Sequence, residues 1–144
     1  MRAYFDSSVI VKMYVPEPNS KEAASLIRRS GSGLPFSQLH ENEVRNAIRL
    51  KRRRAEVSHE EAETAFRRMQ EDLAEGRLSR PQVDWGQAWA KTDELSARHS
   101  HQVNCRTLDT LHVALAAVLG FKEFVSFDER QRALATAAGL RTRP

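Results

Sequence analysis

Residues Thr107–Asp128, TLDTLHVALAAVLGFKEFVSFD, read as a buried helix, a stop, a short apolar strand and an acid where the strand ends. From Leu108 to Leu119 only Asp109, Thr110 and His112 are not apolar. A helix that is apolar nearly all round belongs inside a domain, because no face of it gains from water. Gly120 supplies the left-handed position that closes such a helix, having no Cβ to clash. Phe124, Val125, Ser126 and Phe127 are a β-prone run, and Asp128 opens the next element. Asp109 is the anomaly, a charge at the head of the most hydrophobic helix, where an unpaired buried carboxylate is costly. Two readings of it stand at this point. It is a first-turn acid stabilised by the helix dipole, worth about 0.3–1 kcal/mol, or it is a metal ligand on an acidic wall.

Ala3, Tyr4 and Phe5 make a short apolar strand ended by Asp6, which is either the cap of the helix that follows or a second site acid. Asn19 with Glu22 approximates a capping box for a helix to Ser30, and Gly31 and Gly33 end it. Leu34–Phe36 is a second strand. A helix from about Gln38 to Arg54 turns Leu39, Val44, Ala47 and Ile48 inward, with Glu43 beside that stripe. Ser58 with Glu61 opens a helix over 59–75 whose one side carries Ala62, Ala65, Phe66, Met69 and Leu73. Residues 81–83 read as extended, and Asp84 with Gln87 caps a helix through Ala97 that carries Trp85 and Trp89 on one face as core or dimer-interface packing residues. A last helix, 129–138, precedes an edge strand at 140–142. Short, unalternating strands separated by helices predict an α/β domain around a short, mostly parallel sheet, one domain over residues 1–144.

The 144 residues can bury roughly two-thirds of their unfolded surface. The lone Cys105 offers neither a bridge nor a zinc spacing and fits a reducing compartment. No signal-peptide pattern opens the chain and the longest apolar run is too short for a bilayer, so a cytoplasmic protein without membrane association is expected. The net charge is +4 and the pI about 9.6, pointing mildly to a polyanionic partner. Arg49, Lys51, Arg52, Arg53 and Arg54 form one block, with Arg67, Arg68, Arg77 and Arg80 further on. The block suits either a solvated helix end or an RNA backbone.

In parallel α/β sheets ligands bind beyond the carboxyl ends of the strands. Asp6 and Asp128 lie at such ends, Asp109 heads a helix able to point there, and Glu43 lies about two turns into its helix, so four carboxylates can converge on one edge. Clustered carboxylates repel or take up protons unless a cation joins them. All-oxygen ligands favour Mg²⁺ or Mn²⁺ over zinc, and such ions serve phosphodiester hydrolysis.

The stretches YFDSSVIVKMYVPE, SQLHENEVRNAIRLKR, RTLDTLHVALAAVLG and FVSFDERQRALATAAGLR together resemble the PIN-domain ribonucleases, among them the VapC-type toxins of prokaryotic toxin–antitoxin pairs. The resemblance runs the length of the chain, with its four blocks in family order. It implies a PIN-like three-layer α/β/α fold and a metal-dependent endoribonuclease. It places the catalytic and metal-binding acids on Asp6, Glu43, Asp109 and Asp128, with Mg²⁺ or Mn²⁺ as cofactor. Ser126 is similar to the family's Thr or Ser before the last acid, and Glu43 with Ala47 fits the pattern better than Glu41. Arg106, one turn before Asp109, can reach substrate or pair with an acid. His112 reads as a satisfied core histidine. The implied partners are an RNA substrate, a cognate antitoxin and a second copy of the chain. Apolar surface on the helices bearing Ala62, Phe66, Met69, Trp85 and Trp89 is the sequence feature behind the homodimer.

Two rivals share an Asp after the first strand. A haloacid-dehalogenase pattern needs a second Asp at position 8, which is Ser8, and a receiver needs a Lys after a late strand, where Phe127–Asp128–Glu129 stands. No P-loop or dinucleotide turn exists. The remaining alternative is a catalytically inactive PIN-fold module that binds RNA or a partner, for which four acids have no use.

Overall fold

The computed structural model describes residues 2–144, with seven α-helices and five short strands among the described residues. The chain forms two compact units: residues 7–81, and residues 2–6 together with 82–144.

In the unit of residues 7–81, helix α1 (Ser7–Ile10) runs into a 3₁₀ turn (Val11–Met13) and then α2 (Ser20–Ser30), β2 (Leu34–Pro35), α3 (Gln38–Arg53), α4 (His59–Ala74) and β3 (Leu78–Ser79). Strands β2 and β3 pair in parallel, Leu34 opposite Leu78 and Pro35 opposite Ser79. Val9, Ile10, Leu26, Val44, Ile48, Ala62, Ala65 and Met69 fill the core. Ser58 and Glu61 form the expected capping box on α4. Helix α3 has one too, made by Ser37 and His40, where the imidazole Nδ1 accepts from the Ser37 N–H at 3.1 Å. The expected cap at Asn19 is absent. That residue is left-handed with φ +66° and its side chain makes no cap bond, while the Ser20 hydroxyl accepts from the Glu17 N–H instead. The strand at Leu78–Ser79 was not expected from the sequence; Leu78 is buried and pairs with Leu34 of β2.

In the other unit, β1 (Tyr4–Phe5), β4 (Glu123–Val125) and β5 (Arg141–Arg143) form a parallel sheet in the order β1–β4–β5. Tyr4 pairs with Phe124 and Phe5 with Val125, so β1 and β4 end side by side. Helices α5 (Trp85–His99), α6 (Thr107–Val118) and α7 (Glu129–Ala137) accompany them. Every residue of α6 from Thr110 to Ala116 is buried, as its apolar circumference requires. Its first turn emerges: Leu108 is exposed. Gly120 closes it at φ +81°. The Tyr4 ring stacks on Phe124 at 5.6 Å. On α5 the inward residues are Ala88, Thr92 and Leu95, and Asp84 caps the helix as expected. Trp89 is 47 % exposed, so of the two packing roles expected for it, core or dimer interface, it does not fill the first. The indole lies one position off the Ala88–Thr92–Leu95 stripe.

Candidate active site

Three of the four expected acids belong to the unit built on β1, β4 and β5, and one glutamine ties them together. Asp6 leaves β1 with its N–H bonded to the Val125 carbonyl at 3.0 Å, which fixes it at the strand's carboxyl end. It is only 7 % exposed, and its Oδ1 accepts from the Gln131 side-chain amide at 3.0 Å. His112 Nε2 stands 3.8 Å from the same oxygen, and its Nδ1 lies 2.7 Å from the Tyr4 hydroxyl. A phenol that donates to Nδ1 leaves the ring proton on Nε2, facing the carboxylate. His112 is thus buried and hydrogen-bonded, as a satisfied core histidine should be, and it also stands beside Asp6.

Asp109 is half-buried in the first turn of α6, and its main-chain carbonyl accepts from the same Gln131 amide at 3.2 Å. Asp128 caps α7, its Oδ1 accepting from the Arg130 N–H at 2.8 Å and the Gln131 N–H at 3.1 Å. The Asp128 N–H donates in turn to the Ser126 hydroxyl at 3.1 Å, and that hydroxyl donates to Gln131 Oε1 at 2.7 Å. Gln131 was not among the residues expected from sequence. Its signal was there: Asp128-x-x-Gln131 is an acid followed by a glutamine at capping-box spacing. In a capping box the glutamine returns to the cap's N–H, but Ser126 has taken that donor. The Gln131 side chain turns to Asp6 instead.

In the unit of residues 7–81, Glu43 is half-buried and its Oε1 accepts from the Ser7 hydroxyl at 2.8 Å. Ser7 follows Asp6 directly in the chain. Glu41 is engaged otherwise, with Arg45 at 3.1 Å and with Arg80. Burial works against its ionised form, but the Arg80 and Arg45 guanidiniums win and hold its carboxyl below the usual range. Within the basic block Lys51 is bound to Glu17 at 3.0 Å and Glu56 at 3.3 Å, which raise its pKa against the opposing effect of burial. The Arg49 guanidinium lies over the Phe66 ring at 5.3 Å, whereas Arg52, Arg53 and Arg54 are exposed. Arg106 is exposed at the N-cap position of α6 and makes no side-chain cap bond.

The family model described as "PIN domain" matches residues 3–137. The chain belongs to the PIN-domain family. PIN domains are generally nucleases and typically use divalent metals. The crystal structure of FitAcB from Neisseria gonorrhoeae superposes with a TM-score of 0.67 at 15 % identity, covering 99 % of this chain and 96 % of that one. At that identity the likeness is one of fold. No curated protein matches the chain. No helix among the described residues is long and apolar enough to cross a membrane.

The acids of this PIN domain fit a hard divalent ion by kind, since every candidate donor is a carboxylate oxygen. Among the described residues no three His, Cys, Asp or Glu side chains are gathered closely enough to enclose an ion. Mg²⁺ does not require such a cage. It keeps several waters and is usually bound through one or two carboxylates together with substrate phosphate. Cys105 reports the local field. Burial first, then the Asp109 and Asp128 carboxylates, push its thiol up to about 11, with Arg130 opposing. The thiol lines a cleft of about 220 Å³ with Trp89, Thr92, Asp93, Thr107 and Thr110.

Proposed function

We propose that this chain is a divalent-metal-dependent endoribonuclease, the toxin of a toxin–antitoxin pair, with Asp6, Glu43, Asp109 and Asp128 as its acidic centre. The observation that carries this reading is the meeting of Asp6, the head of α6 at Asp109 and the cap at Asp128 around Gln131, in a chain of the PIN family. Mg²⁺ or Mn²⁺ held by these carboxylates supplies Lewis acidity at the phosphodiester and acidifies water beside it. The protein's own part is positional. Asp6 is pinned at a strand end and largely shielded from solvent, so its charge acts in a medium less screening than water. Asp128 is fixed by the cap it makes. Ser7 holds the Glu43 carboxylate by one oxygen. Arg52, Arg53 and Arg54 remain for the RNA backbone, with Arg106 at the head of α6 as a further candidate; Lys51 is committed to Glu17 and Glu56.

Purified protein free of antitoxin should cut a structured RNA with Mg²⁺ or Mn²⁺, stop with EDTA, and leave 5′-phosphate and 3′-hydroxyl ends. Cleavage that survives thorough chelation, or a 2′,3′-cyclic phosphate product, would sink the reading. The same reading has the chain act as one PIN domain over residues 1–144, inside the cell, bound by its antitoxin and paired with a second copy. Ala62 and Met69 are spent on the core of their own unit, which leaves the exposed Trp89 as the support for pairing. A monomer by light scattering at micromolar concentration refutes the homodimer.

A further inference from the structure

Gln131 is 1 % exposed, and its amide has no freedom in which way round it lies. The two groups facing Nε2, Asp6 Oδ1 and the Asp109 carbonyl, can only accept from it in the ionised site. The group facing Oε1 is the Ser126 hydroxyl, whose oxygen already accepts from the Asp128 N–H, so its proton is left to give. Turning the amide over would set an oxygen against a carboxylate and a carbonyl. Every donor and acceptor in the network therefore has one assignment. Through it, a single side chain in the first turn of α7 is tied to the acid after β1, to the head of α6 and to the serine before Asp128.

The chemical type of this residue matters as much as its bonds. A glutamate at 131 would add a fifth negative charge against Asp6. A lysine would bring a cation and cancel the charge that attracts a divalent ion. A neutral amide fixes the carboxylate's direction and leaves its charge in place. We propose that Gln131 is the positioning residue of the acidic centre, holding Asp6 and the Asp109 turn in the arrangement that sets the affinity for a divalent ion, with Ser126 orienting its amide. The proposal rests on the metal-centre reading above and adds a residue to it. Partners that orient metal ligands typically change affinity or activity by roughly 10–100-fold when removed.

The test is a Mn²⁺ titration followed by the electron paramagnetic resonance signal of the free ion, on wild type, Gln131→Met, Ser126→Ala and Asp6→Asn. Methionine keeps the length and burial of glutamine and removes both functions of the amide. Gln131→Met should bind Mn²⁺ roughly 10–100-fold more weakly, and Ser126→Ala should shift in the same direction by less. RNA cleavage by Gln131→Met should fall at low Mn²⁺ and recover as Mn²⁺ is raised, a rescue that general loss of structure would not give. A folded Gln131→Met protein with Mn²⁺ affinity within twofold of wild type overturns the proposal. If that variant does not fold, Ser126→Ala decides, and unchanged affinity there overturns it. Wild type that binds no Mn²⁺, or Asp6→Asn that binds it undiminished, overturns the metal centre itself and the role of Gln131 with it. Loss in Asp6→Asn with none in Gln131→Met removes Gln131 alone.

Discussion

Asp128 caps α7 and, in the proposed metal centre, has a second duty; one set of substitutions separates the two. Its Oδ1 accepts from two N–H groups at the start of α7, which needs an oxygen but no charge. The proposed metal site needs the charge. Asn and Ser cap helices about as well as Asp, whereas Ala forfeits roughly 0.5–2 kcal/mol, typically about 1. For 144 residues the unfolding entropy at the melting point is about 0.3 kcal/mol per kelvin, so losing the cap lowers Tm by about 2–7 °C. Replacing the charge alone forgoes at most the dipole contribution of about 0.3–1 kcal/mol, or some 1–3 °C. Asp128→Asn and Asp128→Ser should therefore melt close to wild type, and Asp128→Ala should melt measurably lower. All three should lose RNA cleavage alike, by more than the roughly 10–100-fold typical of residues that merely support a metal ligand. Calorimetry without metal and a cleavage assay at saturating Mg²⁺ supply both readings. Active Asp128→Asn would show that the charge is not used. An Asp128→Ala protein as stable as wild type would show that the cap contributes nothing.

Asp109→Asn should abolish cleavage while leaving the melting temperature without metal unchanged or raised; an active protein destabilised by about 0.3–1 kcal/mol would make Asp109 a first-turn helix acid only. The same substitution removes one of the two carboxylates that raise the Cys105 pKa, so alkylation of the thiol at pH 9 should speed up relative to wild type, and an unchanged rate would contradict the placement of Asp109 beside it. Tyr14 donates to Asp72 at 2.6 Å, and burial, followed by that carboxylate, raises its pKa well above the ordinary 10. A raised folded pKa stabilises fully below the unfolded value and is lost above it, so stability should fall as pH rises beyond 10. Tyr14→Phe should cost roughly 1–2 kcal/mol at pH 7 and flatten that alkaline decline; urea melts at pH 7 and 10.5 measure both.

The long elements were legible because their patterns are physical necessities. A helix apolar on all sides has only one place to go, and α6 is buried from Thr110 to Ala116. The capping box at Ser58 and the N-cap at Asp84 were readable because short side chains meet specific N–H groups at fixed spacing. The short strands were harder. β3 is two residues long, so no period can declare itself, and it went unread. The box at Ser37 went unread because its partner is His40, an imidazole in the place of the usual carboxylate or amide. Trp89 does not take the core place that its composition allowed. An indole reads as core, yet a helix face is decided by angle, and Ala88 holds the inward position.

The acids suggested a site only as a set. Each has an ordinary explanation within a turn of its own position, and for Asp128 that explanation is also true, since it does cap α7. A charge with a structural duty therefore gives no sign in sequence of a second one. What escaped was the group between them. Gln131 sits at the spacing of a capping glutamine, and spacing cannot say which of two acceptors wins the Asp128 N–H. Ser126, two residues back and wholly buried, wins it at 3.1 Å. That competition releases the Gln131 amide toward an aspartate 125 positions away in the chain. Contacts at such separation are fixed by the pairing of β1 with β4, which puts Asp6 next to Val125 and brings α7 to it. The local caps could be read from the chain, but the contact of Gln131 with Asp6 depends on the sheet.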